Sequence, residues 1–396
     1  MFQSWNCTDM YKRLINKELL IAAQGYPVVT VLGPRQSGKT TLVRAAFPNK
    51  TYINLEAPDI RSLAESDPRG FLNNLTDGAI LDEIQRVPEL LSYIQVEVDE
   101  HPQAGRYILT GSHQLALHQA ISQSLAGRTS MLTLLPLSIV ELNDADIDLT
   151  LDEYLLTGFL PRIYVDKLDP TKAYRNYLQT YVERDVRQMI NIKDLKLFQN
   201  FLKLCAGRVG SIFNKENLAN ELGISAATIT QWLSVLEASF IIFQLPPYFE
   251  NFGKRVIKSP KIYFTDVGLC TYLLGIENRT QLERDPLRGF LIENLVVLEL
   301  MKARLNKALE PQLYYYRDNH QNEVDVVFKQ SHLLIPIEIK ASQTFTPGFL
   351  KNIKYYQNLV APRAPVGFLV YGGDYEQAGE ISILNYKHTN RIIEKT

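Results

Sequence analysis

Short apolar runs alternate with helical patterns over the first third of the chain. Runs of four to six residues, rich in β-branched side chains, predict strands at Val28–Leu32, Tyr52–Leu55, Ala79–Ile84, Tyr107–Thr110 and Met131–Leu135. Several of these runs are almost entirely apolar, which is typical of strands buried on both faces of a sheet. The alternation therefore predicts a parallel sheet flanked by helices over about residues 1–145.

The rest of the chain divides into two parts with different patterns. From about residue 146 to 275, apolar positions recur three and four residues apart, which predicts a mainly helical segment. From about residue 276 to 396, a long helix predicted to be amphipathic, Gly289–Leu305, precedes a return to strands. These strands are predicted at Tyr314–Arg317, Glu323–Lys329, Leu334–Lys340 and Val366–Tyr371. The fold class is therefore α/β, in three domains.

Composition and charge narrow the class further. The 396 residues are 46% hydrophobic and 21% charged, which is typical of a soluble globular protein. With 42 basic and 43 acidic residues, no overall field attracts nucleic acid or an anionic membrane. No signal peptide or membrane-spanning stretch is evident, and Cys7, Cys205 and Cys270 show no zinc spacing. We expect a cytoplasmic protein with reduced, buried thiols and no membrane partner.

The segment from Gly33 to Thr40 fits the phosphate-loop pattern G-x-x-x-x-G-K-[ST] without a mismatch. An apolar strand precedes it and a helical run follows, which is the setting that phosphate binding requires. Glycine lets successive backbone N–H groups face the phosphates, and the helix N-terminus adds its dipole. Lys39 is expected to reach the β- and γ-phosphates, and Thr40 to ligate Mg²⁺. The alternative, a glycine-rich turn with a chance lysine, leaves these flanks unexplained.

A second element of the same site is the run Ala79–Ile84, which carries two adjacent carboxylates. Asp82 is expected to hold the Mg²⁺ shell, and Glu83 to orient or deprotonate the attacking water. Thr110 or Ser112, at the end of another strand, could sense the γ-phosphate, although an ordinary strand-to-loop turn explains them equally well. The residues predicted to bind ATP are Gly33, Pro34, Arg35, Gln36, Ser37, Gly38, Lys39, Thr40, Thr41 and Asp82.

Three arginines are candidates to stabilise charge during hydrolysis: Arg128, Arg184 and Arg187. A solvated or structural role is the alternative for each. A small-molecule kinase with the same loop is a further alternative, but the Asp82–Glu83 pair and the long C-terminal extension argue against it.

The middle part contains a helix-turn-helix pattern over residues 217–238. Gly223 supplies the turn and Ser225 can cap the second helix, which in a DNA reader would present Thr228, Thr230 and Gln231. There is no lysine or arginine from residue 221 to 253, so this helix alone is poorly suited to phosphates. Basic residues follow where a wing would lie, at Lys254, Arg255, Lys258 and Lys261. DNA contact and a structural lid on the ATPase are both open.

Charged residues alternate along two C-terminal strands. Period-two alternation places Glu338 and Lys340 on one polar face, and a hairpin sets Asp325 opposite Glu338 with Cβ atoms about 5 Å apart. Two such carboxylates repel unless a cation lies between them. The predicted Mg²⁺ ligands are therefore Asp325 and Glu338, together with Glu293 from the preceding helix. Lys340 is predicted to stabilise phosphate charge. This is the D…E-x-K arrangement of metal-dependent nucleases; an amphipathic hairpin is the alternative.

Together these segments resemble a known family. The chain is similar to prokaryotic AAA-type ATPases that carry a C-terminal nuclease-like domain of unassigned function. The segments that carry this resemblance are, in order, GPRQSGKTTL, LDEIQ, LTGS, SLAGR, YVERDVRQ and RVIKSPKIYFTDVGL. The resemblance implies ATP binding at the phosphate loop, a winged-helix middle segment and a C-terminal fold similar to restriction endonucleases.

The function expected from the sequence is Mg²⁺-dependent ATP binding and hydrolysis, coupled to action on DNA through a metal-dependent nuclease-like domain. ATP and Mg²⁺ are the predicted cofactors, and Lys39, Glu83, Asp325, Glu338 and Lys340 the predicted catalytic residues. DNA and further copies of the chain are candidate partners. The alternative is an ATP-dependent switch or scaffold whose C-terminal domain binds nucleic acid or protein without cleaving it.

Overall fold

The computed structural model describes residues 11–112, 121, 123–182, 194–249, 259–374, 377–378 and 380–395. Within these ranges, no helix is both long enough and apolar enough to cross a membrane. Cys205 and Cys270 are free and buried, as predicted, and Cys7 lies outside the described residues.

Five parallel strands form the N-terminal sheet: β1 (Val28–Leu32), β2 (Thr51–Asn54), β3 (Ala79–Asp82), β4 (Tyr107–Gly111) and β5 (Thr129–Thr133). Their spatial order is β2-β3-β4-β1-β5, and all neighbouring pairs are parallel. The predicted parallel sheet is confirmed. The strand predicted to reach Ile84 ends at Asp82, because Glu83 adopts a left-handed conformation with φ 59°.

Helices cover both faces of this sheet: α1 (Asn16–Gly25), α2 (Lys39–Ala46), α3 (Pro58–Ser66), α4 (Pro68–Asn73) and α5 (Leu90–Glu100). Alternate residues of β1 enter separate apolar layers. Val29 and Val31 join the layer that contains residues of α1 and α2, whereas Val28 and Leu32 join the layer that contains residues of α3, α4 and α5. The three inner strands, β4, β1 and β3, are therefore buried on both sides, as their apolar sequences predict, whereas the edge strands β2 and β5 are partly exposed.

The middle part is mainly helical, as predicted. Its elements are α6 (Ile139–Asn143), α7 (Leu151–Thr157), α8 (Pro161–Val165), α9 (Pro170–Tyr177), α10 (Leu195–Ala206), α11 (Lys215–Leu222), α12 (Ala226–Ala238), β6 (Ile242–Leu245), β7 (Lys261–Phe264), α13 (Val267–Leu273) and α14 (Arg279–Arg284). The predicted turn lies between α11 and α12, where Gly223 has φ 67° and Ser225 Oγ accepts from Thr228 N at 3.1 Å. The strands β6 and β7 pair antiparallel.

The C-terminal part contains α15 (Arg288–Leu305), β8 (Leu313–Arg317), β9 (Glu323–Gln330), β10 (Leu333–Ile339), α16 (Lys351–Val360), β11 (Gly367–Tyr371), β12 (Gln377–Ala378), β13 (Ile381–Asn385) and α17 (Asn390–Lys395). The sheet order is β12-β13-β11-β10-β9-β8. β8, β9 and β10 are antiparallel, whereas β10, β11 and β13 are parallel. All four predicted strands are present, and β12 and β13 were not predicted.

The helix α15 lies at the centre of the protein. Residues 291–300 are buried without interruption, so the prediction that this helix is amphipathic is wrong. Leu298 packs into the core of the N-terminal sheet, while Leu291 and Leu295 pack into a second core that runs from Leu137 to Ile393. A helix enclosed by two cores needs apolar residues on all its sides.

The middle and C-terminal parts are joined by backbone contacts as well as by this shared core. After β6, Tyr248 N donates to Tyr315 O at 2.7 Å, and Tyr315 N donates to Pro246 O at 3.0 Å. The chain after β6 therefore extends the C-terminal sheet beside β8.

Candidate functional site

The phosphate loop connects β1 to α2, and its shape requires glycine. At Gly33 a Cβ atom would lie 2.0 Å from the Leu134 carbonyl oxygen, and Gly38 has φ 92°. Lys39, Thr40 and Thr41 form the first turn of α2, and Pro34, Arg35 and Gln36 lie in the loop before it. The Ser37 hydroxyl is buried and has no hydrogen-bond partner among the described residues. A buried orphan hydroxyl in this loop suits a bound phosphate.

Lys39 folds back over the loop. Its buried ammonium donates to Gly33 O at 3.0 Å and to Pro34 O at 2.8 Å. These carbonyl groups hold the lysine beside the loop, where a phosphate oxygen would be a stronger, charge-assisted acceptor.

Asp82 lies beside the first turn of α2 at the end of β3 and accepts three hydroxyl groups. Thr40 Oγ1 donates to Oδ2 at 2.8 Å, Tyr52 OH donates to the same oxygen at 2.7 Å, and Thr110 Oγ1 donates to Oδ1. Burial, reinforced by the bond to Asp82, raises the pKa of Tyr52, so this tyrosine is a neutral donor. The Thr40 and Asp82 oxygens are thus adjacent hard ligands suited to Mg²⁺.

Glu83 directly follows Asp82 and is half-buried. Its Oε2 atom accepts from Ser112 Oγ at 3.2 Å and from Gln85 Nε2, while its backbone N–H donates to Thr110 Oγ1 at 3.2 Å. Thr110 and Ser112 therefore contact the acidic pair directly. Glu83 is held by neutral donors, which leave it available as an acceptor for a water proton.

The sequence did not reveal the role of Arg13. This buried guanidinium donates to Ser37 O and Leu135 O, both at 2.6 Å, and forms an ion pair with Glu141 at 3.0 Å. Glu141 also accepts from Ser138 N at 2.9 Å in a capping box at the start of α6. The capping-box spacing is visible in the sequence, but a partner 128 positions away is not.

The start of α6 is also held by the central helix α15. Glu299 Oε2 accepts from Ile139 N at 3.0 Å, and Lys302 Nζ donates to Leu137 O at 2.6 Å. Buried polar contacts thus connect the phosphate loop, through Arg13 and Glu141, to the helix that carries Glu293.

The candidate charge-stabilising arginines lie in different settings. Arg128 forms a two-bond ion pair with Asp99 on α5, at 2.6 and 2.8 Å. Arg184 and Arg187 lie outside the described residues. Within the loop, Arg35 lies 3.7 Å from Glu56.

The second candidate site is the C-terminal acidic cluster, which we define as Glu293, Glu323, Asp325 and Glu338. Lys340 Nζ lies 2.6 Å from Glu338 Oε1 and 3.9 Å from Asp325 Oδ2. The β9–β10 register pairs residue 326 with residue 337, so Asp325 and Glu338 occupy the next position on each strand. The structure therefore brings Asp325, Glu338 and Lys340 together.

Glu338 is almost completely buried, which does not fit the alternative of an amphipathic hairpin with its polar face in solvent. Burial, and then the neighbouring Asp325 carboxylate, raises the pKa of Glu338 to about 8. Its Oε1 atom accepts from Lys340 and from Asn352 Nδ2 at 3.1 Å, but Oε2 is buried and has no hydrogen-bond partner in the described part of the chain. An orphan carboxylate oxygen suits a cation or a proton.

Glu293 is engaged differently. Its Oε1 atom accepts from Lys261 Nζ at 2.8 Å and from Tyr263 OH. Lys261 is only 2% exposed, so it is not available to contact DNA phosphates, as a basic residue of a wing would be. The other wing candidates, Lys254, Arg255 and Lys258, lie outside the described residues.

The ligand atoms of the C-terminal acidic cluster do not converge as a ready three-carboxylate site. Across the described part of the chain, only one set of three His, Cys, Asp or Glu side chains has its ligand atoms within 4.8 Å of one another, namely Glu97, Glu100 and His101. Asp325 Oδ2 already accepts from Ile339 N at 2.8 Å. The fit to a divalent cation is therefore best at the orphan oxygen of Glu338.

The fold and the first site define an AAA-type P-loop ATPase domain, a class that binds and hydrolyses nucleotide. Residues 25–143 match the family described as AAA domain. Residues 148–280 and 288–388 match two domains of unknown function, DUF8612 and DUF4143.

Two mycobacterial relatives align with most of the chain. They are uncharacterized protein Rv2008c of Mycobacterium tuberculosis and uncharacterized protein Mb2031c of Mycobacterium bovis. Each is 33% identical over 353 residues, which cover 88% of this chain and 78% of the relative. The chain belongs to the family of these proteins.

Among solved structures, the chain is similar to the Walker-type ATPase PABY2304 of Pyrococcus abyssi, with a TM-score of 0.47 and 16% identity over 68% of this chain and 97% of that one. RuvB of Thermotoga maritima gives a TM-score of 0.31 and 20% identity over 59% and 89% of the two chains. These distant likenesses add nothing to the chemistry of the site.

Proposed function

We propose that this protein is a Mg²⁺-dependent ATPase whose catalytic centre is the phosphate loop together with Asp82 and Glu83. The observation that carries the proposal is the 2.8 Å contact between Thr40 Oγ1 and Asp82 Oδ2, at the first turn of the helix that follows the loop. These two oxygen atoms are hard ligands of the kind that Mg²⁺ prefers, and they lie beside the phosphate loop. A further carboxylate, Glu83, follows Asp82 in the chain.

Each residue of this centre has a separate task. The loop N–H groups and Lys39 bind the β- and γ-phosphates, and the lysine leaves its carbonyl acceptors to do so. Thr40 and Asp82 would hold Mg²⁺, which would neutralise phosphate charge. Glu83 orients the attacking water and accepts its proton, while Ser112 and Gln85 keep its side chain in place.

Lys39→Ala is expected to weaken ATP binding by about ten- to a hundredfold, since hydrogen bonds to charged groups contribute roughly 1.5–3 kcal/mol. The measurement is a titration with fluorescent ATP analogue. Lys50→Ala is the matched control. Lys50 also donates to two backbone carbonyl oxygens, those of Asp77 and Arg106, but these residues lie just before β3 and β4 begin and outside the phosphate loop. Equal affinity in wild type and Lys39→Ala would remove Lys39 from the phosphate site.

A second candidate function is metal-dependent cleavage of DNA by the C-terminal domain. The observation that favours it is the buried Oε2 atom of Glu338, which has no hydrogen-bond partner among the residues that the structure describes, on a carboxylate close to Asp325 and Lys340. Mg²⁺ commonly uses one or two carboxylates and completes its shell with water and phosphate oxygens. Asp325 and Glu338 would hold such an ion, and Lys340 would stabilise the charge of the cleaved phosphate.

Full-length protein is expected to cleave DNA only with Mg²⁺ or Mn²⁺, and Lys340→Ala is expected to lose this activity. The assay compares single-stranded, duplex and branched DNA with and without ATP. Lys329→Ala, on the same hairpin, is the control for the loss of a lysine. Cleavage by Lys340→Ala at the wild-type rate would exclude this centre, and DNA or protein binding without cleavage would favour the switch or scaffold function.

A further inference from the structure

A lysine from outside the C-terminal sheet reaches the C-terminal acidic cluster. Lys261 begins β7, in the two-stranded sheet of the middle part. Its Nζ atom lies 2.8 Å from Glu293 Oε1 and 2.6 Å from Glu323 Oε1. One buried ammonium therefore bridges carboxylates on α15 and on β9, two separate elements of the C-terminal part.

The charge balance keeps this ammonium protonated. Burial lowers the pKa of Lys261, but the carboxylates of Glu293, Asp325 and Glu323 outweigh burial, and the pKa is raised overall. The aromatic ring of Tyr315 lies 5.5 Å from Nζ and adds a weaker attraction for a cation.

Further donors contact the same two carboxylates. Tyr263 OH donates to the same Glu293 oxygen as Lys261, and Arg317 lies 3.1 Å from Glu323 Oε2. A divalent cation at Glu293 would meet a fixed positive charge 2.8 Å from its ligand oxygen. Glu338 differs, because one of its buried oxygens has no partner among the described residues.

We propose that Lys261 is a built-in cation that occupies the position between Glu293 and Glu323, so that a divalent cation binds the C-terminal acidic cluster only through Asp325 and Glu338. This refines the second candidate function by assigning its metal ligands, and it removes Glu293 from the predicted set. Because Lys261 lies in the middle part, the same contact fixes that part against the C-terminal sheet.

The test counts Mn²⁺ ions bound to the nucleotide-free, full-length protein at pH 8 by electron paramagnetic resonance. Lys261→Met is expected to bind one more Mn²⁺ per chain than the wild type, since removal of the ammonium exposes two carboxylates to a new cation. Lys302→Met is the matched control: Lys302 is equally buried and paired with a carboxylate, Glu299, on the same helix as Glu293. The control is expected to keep the wild-type count.

A second variant tests the proposal without disturbing the lysine. Glu293→Gln in the otherwise wild-type chain is expected to bind as many Mn²⁺ ions as the wild type, and in the Lys261→Met chain it is expected to remove the gained ion. An unchanged count in folded Lys261→Met, or a lost ion in Glu293→Gln alone, would overturn the proposal. Fluorescent ATP binding verifies the fold of each variant. Because ions are counted, absent DNA cleavage would defeat the second candidate function and leave this proposal standing.

Discussion

Glu83→Gln is expected to bind ATP with wild-type affinity and to hydrolyse it about 10²–10⁴-fold more slowly, which is the usual contribution of a positioned general base. The amide retains the shape of the side chain and its contacts with Gln85 and Ser112, but it cannot accept a proton from water. Single-turnover hydrolysis separates the chemical step from ATP binding and product release.

Glu89→Gln is the control for this experiment, because Glu89 is an exposed carboxylate a short distance along the chain, at the start of α5. It is expected to hydrolyse ATP at the wild-type rate. Wild-type turnover in Glu83→Gln would mean that Glu83 is a structural acid and that another group positions the water.

Arg13→Met is expected to lower the free energy of unfolding by about 3–5 kcal/mol, the usual cost of breaking a buried ion pair from one side. The change leaves Glu141 buried without its guanidinium and frees the carbonyl groups of Ser37 and Leu135. Because Ser37 belongs to the phosphate loop, ATP binding is expected to weaken as well. Denaturant unfolding of the nucleotide-free protein measures the first effect, and titration with a fluorescent ATP analogue measures the second.

The control is an ion pair of the same chemistry on the surface. Arg162 and Asp166 are paired at 2.9 Å, with side chains 59% and 43% exposed, so Arg162→Met is expected to cost less than about 1 kcal/mol. Similar losses for Arg13→Met and Arg162→Met would show that the contact between Arg13 and the loop is not a buried brace.

The sequence predicts well those parts of the fold that depend on residues close together in the chain. The phosphate loop lies between an apolar strand and a helix, and the turn at Gly223 follows from one glycine and one cap residue. In the N-terminal sheet the strand ends differ from the predicted ones by at most two residues. Each of these features depends on neighbours within a few positions.

The errors arise where distant segments decide the environment. Residue spacing in α15 suggests an amphipathic helix, but two cores enclose it. Lys261 follows a run of basic residues, which suggests a basic wing open to DNA. It is instead buried and paired with carboxylates 32 and 62 positions later. Arg13 is likewise defined by partners far along the chain. Periodicity cannot reveal such pairings, because they depend on how the domains pack.

The most direct test of the central claim is phosphate release from ATP by the full-length protein, measured with Mg²⁺ and with the metal chelated. We expect release with Mg²⁺ that chelation stops and that Lys39→Ala does not support. Mg²⁺-independent release, or equal release by wild type and Lys39→Ala, would contradict the assignment of hydrolysis to the site formed by the phosphate loop, Asp82 and Glu83.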